Sequence, residues 1–311
     1  MKNEIRAFAP ATVANIGPGF DVLGLALDEP GDRVRARRVD GDGVVIVSVS
    51  GDDGRLPRDA ASNTAGIAAT AVLKWAGIEA GIELEVDKGM PLGSGLGSSA
   101  ASAAAAAWAV NCLLGKPLGD IELIEACLEA ETAVSGRHAD NVAAAILGGV
   151  VIVRSVDPLD VIPIPVPPGL IVVVVTPSFE LPTRKAREAL PETVPLATAV
   201  ANQADLAAFV AAMHSGDLDL LARTLEDRLA TPFRAGLIPG AQNVMDAART
   251  AGALGSGLSG SGPTIFALCD GDRVAASVKA AMAEAFRDAG LDCKVVTSPV
   301  NAVGAREEPG P

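Results

Sequence analysis

The stretch Pro91-Leu-Gly-Ser-Gly-Leu-Gly-Ser-Ser-Ala-Ala101 decides how this chain reads. Residues 82–86 before it alternate as a strand does, and residues 98–114 after it form an alanine-rich helical run. Gly93, Gly95 and Gly97 allow backbone angles that a Cβ forbids and let the chain approach a ligand closely. Ser98 and Ser99 then fall at a helix start, where N–H groups are unpaired and the dipole is positive. Strand, glycine loop and bare helix N-terminus together make a phosphate cradle. No Gly-Lys-Ser/Thr closes the loop as in a Walker A motif, and the glycine spacing does not fit the dinucleotide fingerprint.

Working outward, the chain has 311 residues, enough for two domains, and 49% hydrophobic content, enough for substantial cores. A net charge of −13 and the absence of Tyr argue against a nucleic-acid partner. An acidic protein can still hold a locally basic nucleotide pocket. Cys112, Cys127, Cys269 and Cys293 show no CxxC or metal spacing and read as buried thiols of a reducing compartment. The charged start carries no secretory signal, and the alanine run at 100–107 is too short to span a bilayer. The expectation is a soluble, cytoplasmic protein without a membrane partner, and a homodimer is compatible with it.

Strands are expected at residues 5–9, 21–27, 32–38, 44–50, 82–86, 150–154, 170–176, 264–269 and 292–298. Helices are expected at 63–76, 98–114, 120–135, 140–146, 183–190, 196–214, 218–229, 241–251 and 272–289. Five prolines between residues 158 and 169 mark a connector, which places the boundary between domains 1–160 and 161–311. The tail after Val300 is expected to fray. The first half reads as a mixed sheet followed by helices, the second as an α+β sandwich.

The loop resembles the central motif of the kinase superfamily that includes galactokinase, homoserine kinase, mevalonate kinase and phosphomevalonate kinase. Two further motifs of that superfamily follow the right order. Ala9-Pro-Ala-Thr-Val-Ala-Asn-Ile-Gly-Pro-Gly-Phe-Asp21 is similar to the first, and Gly255-Ser-Gly-Leu-Ser-Gly-Ser-Gly-Pro263 to the third. The resemblance implies an α+β chain of two domains. The N-terminal one would be a mixed sheet with helices, like domain 2 of ribosomal protein S5, with a left-handed βαβ crossover. The C-terminal one would be a ferredoxin-like α/β sandwich.

Thr12 stands where mevalonate-type kinases carry Lys, and no Arg-Val-Asn motif of the galactokinase kind is present. The first motif is similar to homoserine kinases in particular, as is Arg137-His-Ala-Asp-Asn-Val142. That resemblance implies transfer of the γ-phosphoryl group of ATP to the side-chain hydroxyl of L-homoserine. Asn15, Asp21, His138, Asn141, Arg187 and Arg234 would hold the amino acid, with Asn141, Thr183 and Arg187 closest to the reaction. A carboxylate suits an α-ammonium and a guanidinium suits a carboxylate. The cradle for ATP would be Pro91, Leu92, Gly93, Ser94, Gly95, Leu96, Gly97, Ser98, Ser99, Ala100 and Ala101. Asn63 would meet the adenine, or else cap a helix.

Ser99 and Glu131 would hold Mg²⁺, while Glu129 reads as surface charge. Asn141 stands where mevalonate kinase supplies an aspartate base. Two mechanisms follow: Asp140 is the base, or the hydroxyl loses its proton late, to a phosphate oxygen. The second is preferred because phosphoryl transfer depends mostly on positioning and charge neutralisation. His214, Arg184 and Lys185 read as structural or solvated. Lys88 is either a phosphate contact or surface. The third motif packs against the substrate or the central loop, or else serves as a hinge. The rivals are a sister kinase of an isoprenoid alcohol, a nucleotide-binding protein without catalysis, and, on weak glycine spacing, a nicotinamide dehydrogenase.

Overall fold

Valine, isoleucine and alanine-rich segments build two sheets, and the computed structural model describes residues 2–134 and 136–309. In chain order the N-terminal half comprises β1 (Glu4–Ala14), β2 (Leu23–Val39), β3 (Gly43–Ser50), α1 (Thr64–Ala76), β4 (Gly81–Asp87), α2 (Ser98–Leu113), α3 (Asp120–Val134), α4 (Asp140–Leu147), β5 (Val150–Val156) and β6 (Leu159–Ile164). The C-terminal half comprises β7 (Leu170–Pro177), α5 (Thr183–Glu188), α6 (Leu196–Ser215), α7 (Leu218–Ala222), α8 (Thr231–Arg234), α9 (Ala241–Thr250), β8 (Gly255–Leu258), β9 (Ile265–Asp270), α10 (Gly271–Asp288), β10 (Cys293–Pro299) and β11 (Arg306–Glu307).

The first sheet is mixed and runs β11-β1-β2-β4-β3, with the β5–β6 hairpin attached to β2. Strands β3 and β4 are parallel, joined through α1, and the other pairs are antiparallel. Helix α2 packs on β1 and β2 and against α1, α3 and α4, and α4 also lies directly on this sheet. It is buried nearly all round, which alanine permits because its side chain lets neighbours approach closely.

The second sheet runs β10-β7-β9-β8, entirely antiparallel. Helices intervene between β7 and β8 and between β9 and β10. The order is therefore 4-1-3-2 in a βαββαβ chain, the ferredoxin-like arrangement, with α9 and α10 packed on the sheet. Both layers of architecture match the expected fold class.

The ends of the halves differ from expectation. Leu159–Ile164 hydrogen-bonds along β5 as part of the first sheet, and the second sheet begins with β7 at Leu170. As far as Glu308 the tail is held in place: Ala7 pairs with Glu307 and Phe8 with Arg306, and Glu308 lies 3.1 Å from Arg33 Nε. The chain beyond Val300 thus rejoins the first sheet. Its polar composition concealed pairing that depends on a partner strand about 300 positions away. Strand β1 runs on through Pro10 to Ala14, past the expected end at residue 9. The expected helix at 218–229 stops at Ala222.

All four cysteines are free; Cys127 and Cys269 are buried, but Cys112 and Cys293 are only half-buried. Ser135, expected to end α3, lies outside the described residues. By length and composition α6 could cross a bilayer, with a mean hydropathy of 1.3. In the fold its Asn202, Phe209, Ala212 and Met213 are buried, and Asn202 Nδ2 donates to Pro18 O at 2.8 Å.

Candidate active site

Between the two sheets runs a cleft floored by the central loop and the N-terminus of α2. Gly97 caps that helix at φ +65° and supplies no side-chain cap, so the first N–H groups of α2 stay available. Ser94 Oγ and Ser98 Oγ are buried without a hydrogen-bond partner. Orphaned hydroxyls beside a bare helix N-terminus are groups that a phosphate would satisfy. Leu92, Gly93, Ser94, Gly95, Gly97, Ser98 and Ser99 all line the cleft. The other four expected cradle residues do not: Leu96, Ala100 and Ala101 are buried in the cores, and Pro91 is exposed outside the lining. The motif is continuous in sequence, but its apolar members anchor the loop.

The third motif is seated on the central loop. Ser259 Oγ donates to Gly95 O at 2.7 Å, and Thr264 N donates to Ser94 O at 3.1 Å. A Cβ on Gly95 would stand 2.6 Å from both Gly262 O and Ser259 O, so this glycine serves loop-on-loop packing.

Asn63 lines the cleft, but its amide is committed to the backbone. Oδ1 accepts from Ala65 N at 3.0 Å as the cap of α1, and Nδ2 donates to Pro57 O at 2.8 Å. Lys88 is buried, not at the surface, and lines the cleft with its ammonium held by other groups. Its side chain is buried against Asp32, and Nζ also donates to Ser98 O and Ser102 Oγ, each at 2.7 Å.

At the other end of the cleft the charged residues converge. Arg187 of α5 donates to Asp21 Oδ2 at 2.8 Å and Oδ1 at 3.3 Å, and its Nη2 lies 2.9 Å from His138 Nε2. His138 Nδ1 is 3.6 Å from Asp21 Oδ2. Burial lowers the His138 pKa, and Asp21 opposes this while Arg187 and Arg234 add to it, so the imidazole is neutral at pH 7. Arg234 is 2% exposed and donates to Ala186 O and Gly260 O at 3.0 and 3.2 Å. Burial, then Arg187, lowers its pKa. Phe20 has a guanidinium over its ring from both Arg187 and Arg234, each 5.3 Å from the centroid. Such stacking holds a guanidinium in place and leaves its edge free for a carboxylate. Phe20 escaped notice in the sequence, although it precedes Asp21.

Asn15 sits at φ +75°; its Nδ2 donates to Gly260 O at 2.9 Å and its Oδ1 accepts from Asp21 N at 3.1 Å. It thus shapes the turn that presents Asp21. Asn141 of α4 lines the cleft, as does Thr183, whose hydroxyl is 3.5 Å from Ser261 Oγ. Asp140 is buried and its pKa is raised to about 7, chiefly by desolvation and then by the charge of Asp21. Ser99 and Glu131 line the cleft beside the cradle, and Glu131 is 5% exposed. Glu129 is at the surface, accepting from Trp75 Nε1 at 2.9 Å. Arg184 and Lys185 are exposed, and His214 Nδ1 bonds Val210 O at 3.0 Å within its own helix.

Comparison with known proteins gives the same picture. Residues 63–149 match the family of GHMP kinases N terminal domain and residues 209–288 that of GHMP kinases C terminal. Homoserine kinase of Arabidopsis thaliana is 46% identical, over 97% of this chain and 84% of that one. Homoserine kinase of Chloroherpeton thalassium is 44% identical over 97% and 99% of the two chains. This chain belongs to the homoserine kinase family.

The crystal structure of homoserine kinase from Cytophaga hutchinsonii superposes with a TM-score of 0.96 at 46% identity, covering 99% of this chain and 98% of that one. The fold extends beyond homoserine kinases: mevalonate kinase of L. major has a TM-score of 0.72 at 17% identity, covering 97% and 99%.

Proposed function

We propose that this homoserine kinase family member transfers the γ-phosphoryl group of ATP to the side-chain hydroxyl of L-homoserine, giving O-phospho-L-homoserine. The observation that carries the reading is the pairing of a phosphate cradle with an acceptor end built from one carboxylate and two guanidiniums, in a chain 46% identical to a homoserine kinase. An α-amino acid is a zwitterion. Asp21 suits its ammonium, and Arg187 and Arg234 suit its carboxylate. The neutral alcohol end then lies towards Asn141 and Thr183, facing the cradle.

The central loop would take the phosphates of ATP on the N–H groups of α2 and on the hydroxyls of Ser94 and Ser98. Ser99 and Glu131 would hold Mg²⁺. Among the described residues no three His, Cys, Asp or Glu side chains gather as a metal site. A cation held by these two residues would take most of its oxygens from phosphate and water, as Mg²⁺ prefers. Mg²⁺ neutralises charge on the transferred group.

Asp140 accepts from Asn141 N at 2.9 Å and is buried, so it serves to orient that residue. No strong base is assigned. The acceptor oxygen attacks the γ-phosphorus, the bond to the β-phosphate oxygen breaks, and the hydroxyl proton passes late to a phosphoryl oxygen. The cytoplasm is the proposed compartment.

The test is ADP release by the purified protein with MgATP and a panel of homoserine, mevalonate and galactose. Turnover with homoserine supports the reading. Turnover with mevalonate in its place assigns the chain to another acceptor.

A further inference from the structure

The hydroxyl of Thr12 is buried where three parts of the site meet. Thr12 belongs to β1, has no solvent exposure and does not line the cleft. Its N–H donates to Leu96 O at 3.0 Å, which ties it to the central loop. Its hydroxyl donates to Asn141 Oδ1 at 2.7 Å, which ties it to α4. Gly97 leaves the room for this contact: a Cβ there would stand 2.0 Å from Thr12 Oγ1 and 2.8 Å from Asn141 Oδ1.

An asparagine amide has two orientations of nearly equal shape and opposite chemistry. Here both of its ends are constrained. Asn141 Nδ2 lies 3.3 Å from Asp140 Oδ1, the same oxygen that accepts from Asn141 N. Turning the amide over would set its carbonyl oxygen against that carboxyl oxygen, and the hydroxyl would have to accept from Nδ2 instead of donating to Oδ1. The observed orientation satisfies both contacts and leaves Nδ2 one proton to offer into the cleft.

We propose that Thr12 is a positioning residue for phosphoryl transfer: its hydroxyl fixes the Asn141 amide with the Nδ2 edge towards the acceptor oxygen. The proposal rests on the kinase reading above and on the place of Asn141 at the acceptor hydroxyl. Thr12 as a whole couples loop to helix, its backbone N–H bonded to the loop that cradles the phosphates and its hydroxyl to Asn141. A misplaced amide would leave both substrates bound and the acceptor oxygen out of line, which costs rate and not affinity.

The experiment is steady-state kinetics of Thr12→Val and Thr12→Ser, each also made with Asn141→Ala, with thermal unfolding of every variant. Thr12→Val should lower kcat by about tenfold or more, with KM for homoserine and for ATP held within about threefold. Thr12→Ser should restore most of kcat. In the Asn141→Ala background Thr12→Val should cost almost nothing further. If Thr12→Val does not fold, Thr12→Ala takes its place in the same cycle.

The proposal is overturned if Thr12→Val keeps kcat within twofold of wild type, if serine fails to rescue, or if the loss is as large without Asn141. Wild-type protein that does not phosphorylate homoserine would instead overturn the kinase reading itself, so the two failures are distinct.

Discussion

Arg187 Nη1 lies 2.8 Å from Asp21 Oδ2, so the two groups proposed to hold opposite ends of the amino acid hold each other. Both side chains are about one-third exposed, at 36% and 30%, so the pair is partly screened and can open at modest cost. A zwitterion inserted between them replaces one ion pair with two. Asp21→Asn should therefore raise KM for homoserine by about tenfold or more and leave KM for ATP within about threefold. Initial-rate kinetics in both substrates check this. Equal loss of both affinities would remove the assignment of Asp21.

The buried carboxyl of Asp140 makes stability depend on pH in a defined direction. Its folded pKa is about 7, above the ordinary value of 3.8, so the folded state binds the proton more tightly. The stability from that proton is fully present below pH 3.8 and is lost as pH rises towards 7. Asp140→Asn should therefore gain stability relative to wild type on going from pH 5 to pH 8. Urea denaturation at the two pH values measures the difference, and a constant difference would exclude the shifted carboxyl.

Glu131 stands beside the cradle with Ser99, where a cation would be shared with phosphates. Glu131→Gln should raise the Mg²⁺ concentration needed for half-maximal rate by about tenfold. A titration of activity against Mg²⁺ at fixed ATP reads this directly. An unchanged Mg²⁺ requirement would place the ion elsewhere.

Lys88 and Asp32 form a buried ion pair beneath the first turn of α2, with Ser102 Oγ donating to Asp32 Oδ2 at 2.7 Å. Lys88→Met leaves that carboxylate buried without its cation, which costs about 3–5 kcal/mol. Asp32→Asn combined with Lys88→Met should recover much of that loss. Chemical denaturation of the single and double variants checks both. A neutral single variant would show that the pair is not holding the helix.

The fold was legible because its signals are local. Alternating valines gave the strands, alanine runs gave the helices, and three glycine motifs in order gave the family. The β11 strand was not legible, because two residues pair with β1 only once the whole chain has folded back. The cradle and the acceptor residues were read from the motifs, yet their division of labour was not. Asn63 and Asn15 spend their amides on backbone groups, and Leu96, Ala100 and Ala101 support the loop from within the core. Burial decides between such roles, and sequence alone does not state it. The contact of the Phe20 ring with the guanidiniums of Arg187 and Arg234 depends on elements more than 160 residues apart, so no local pattern announced it.

The most direct measurement is ³¹P NMR of the purified protein incubated with MgATP and L-homoserine. The expected spectrum loses the γ-phosphate of ATP and gains ADP with one phosphomonoester resonance, split by two methylene protons. Inorganic phosphate as the only new species besides ADP, or an unchanged ATP spectrum, would contradict the assignment of this chain as a kinase of homoserine.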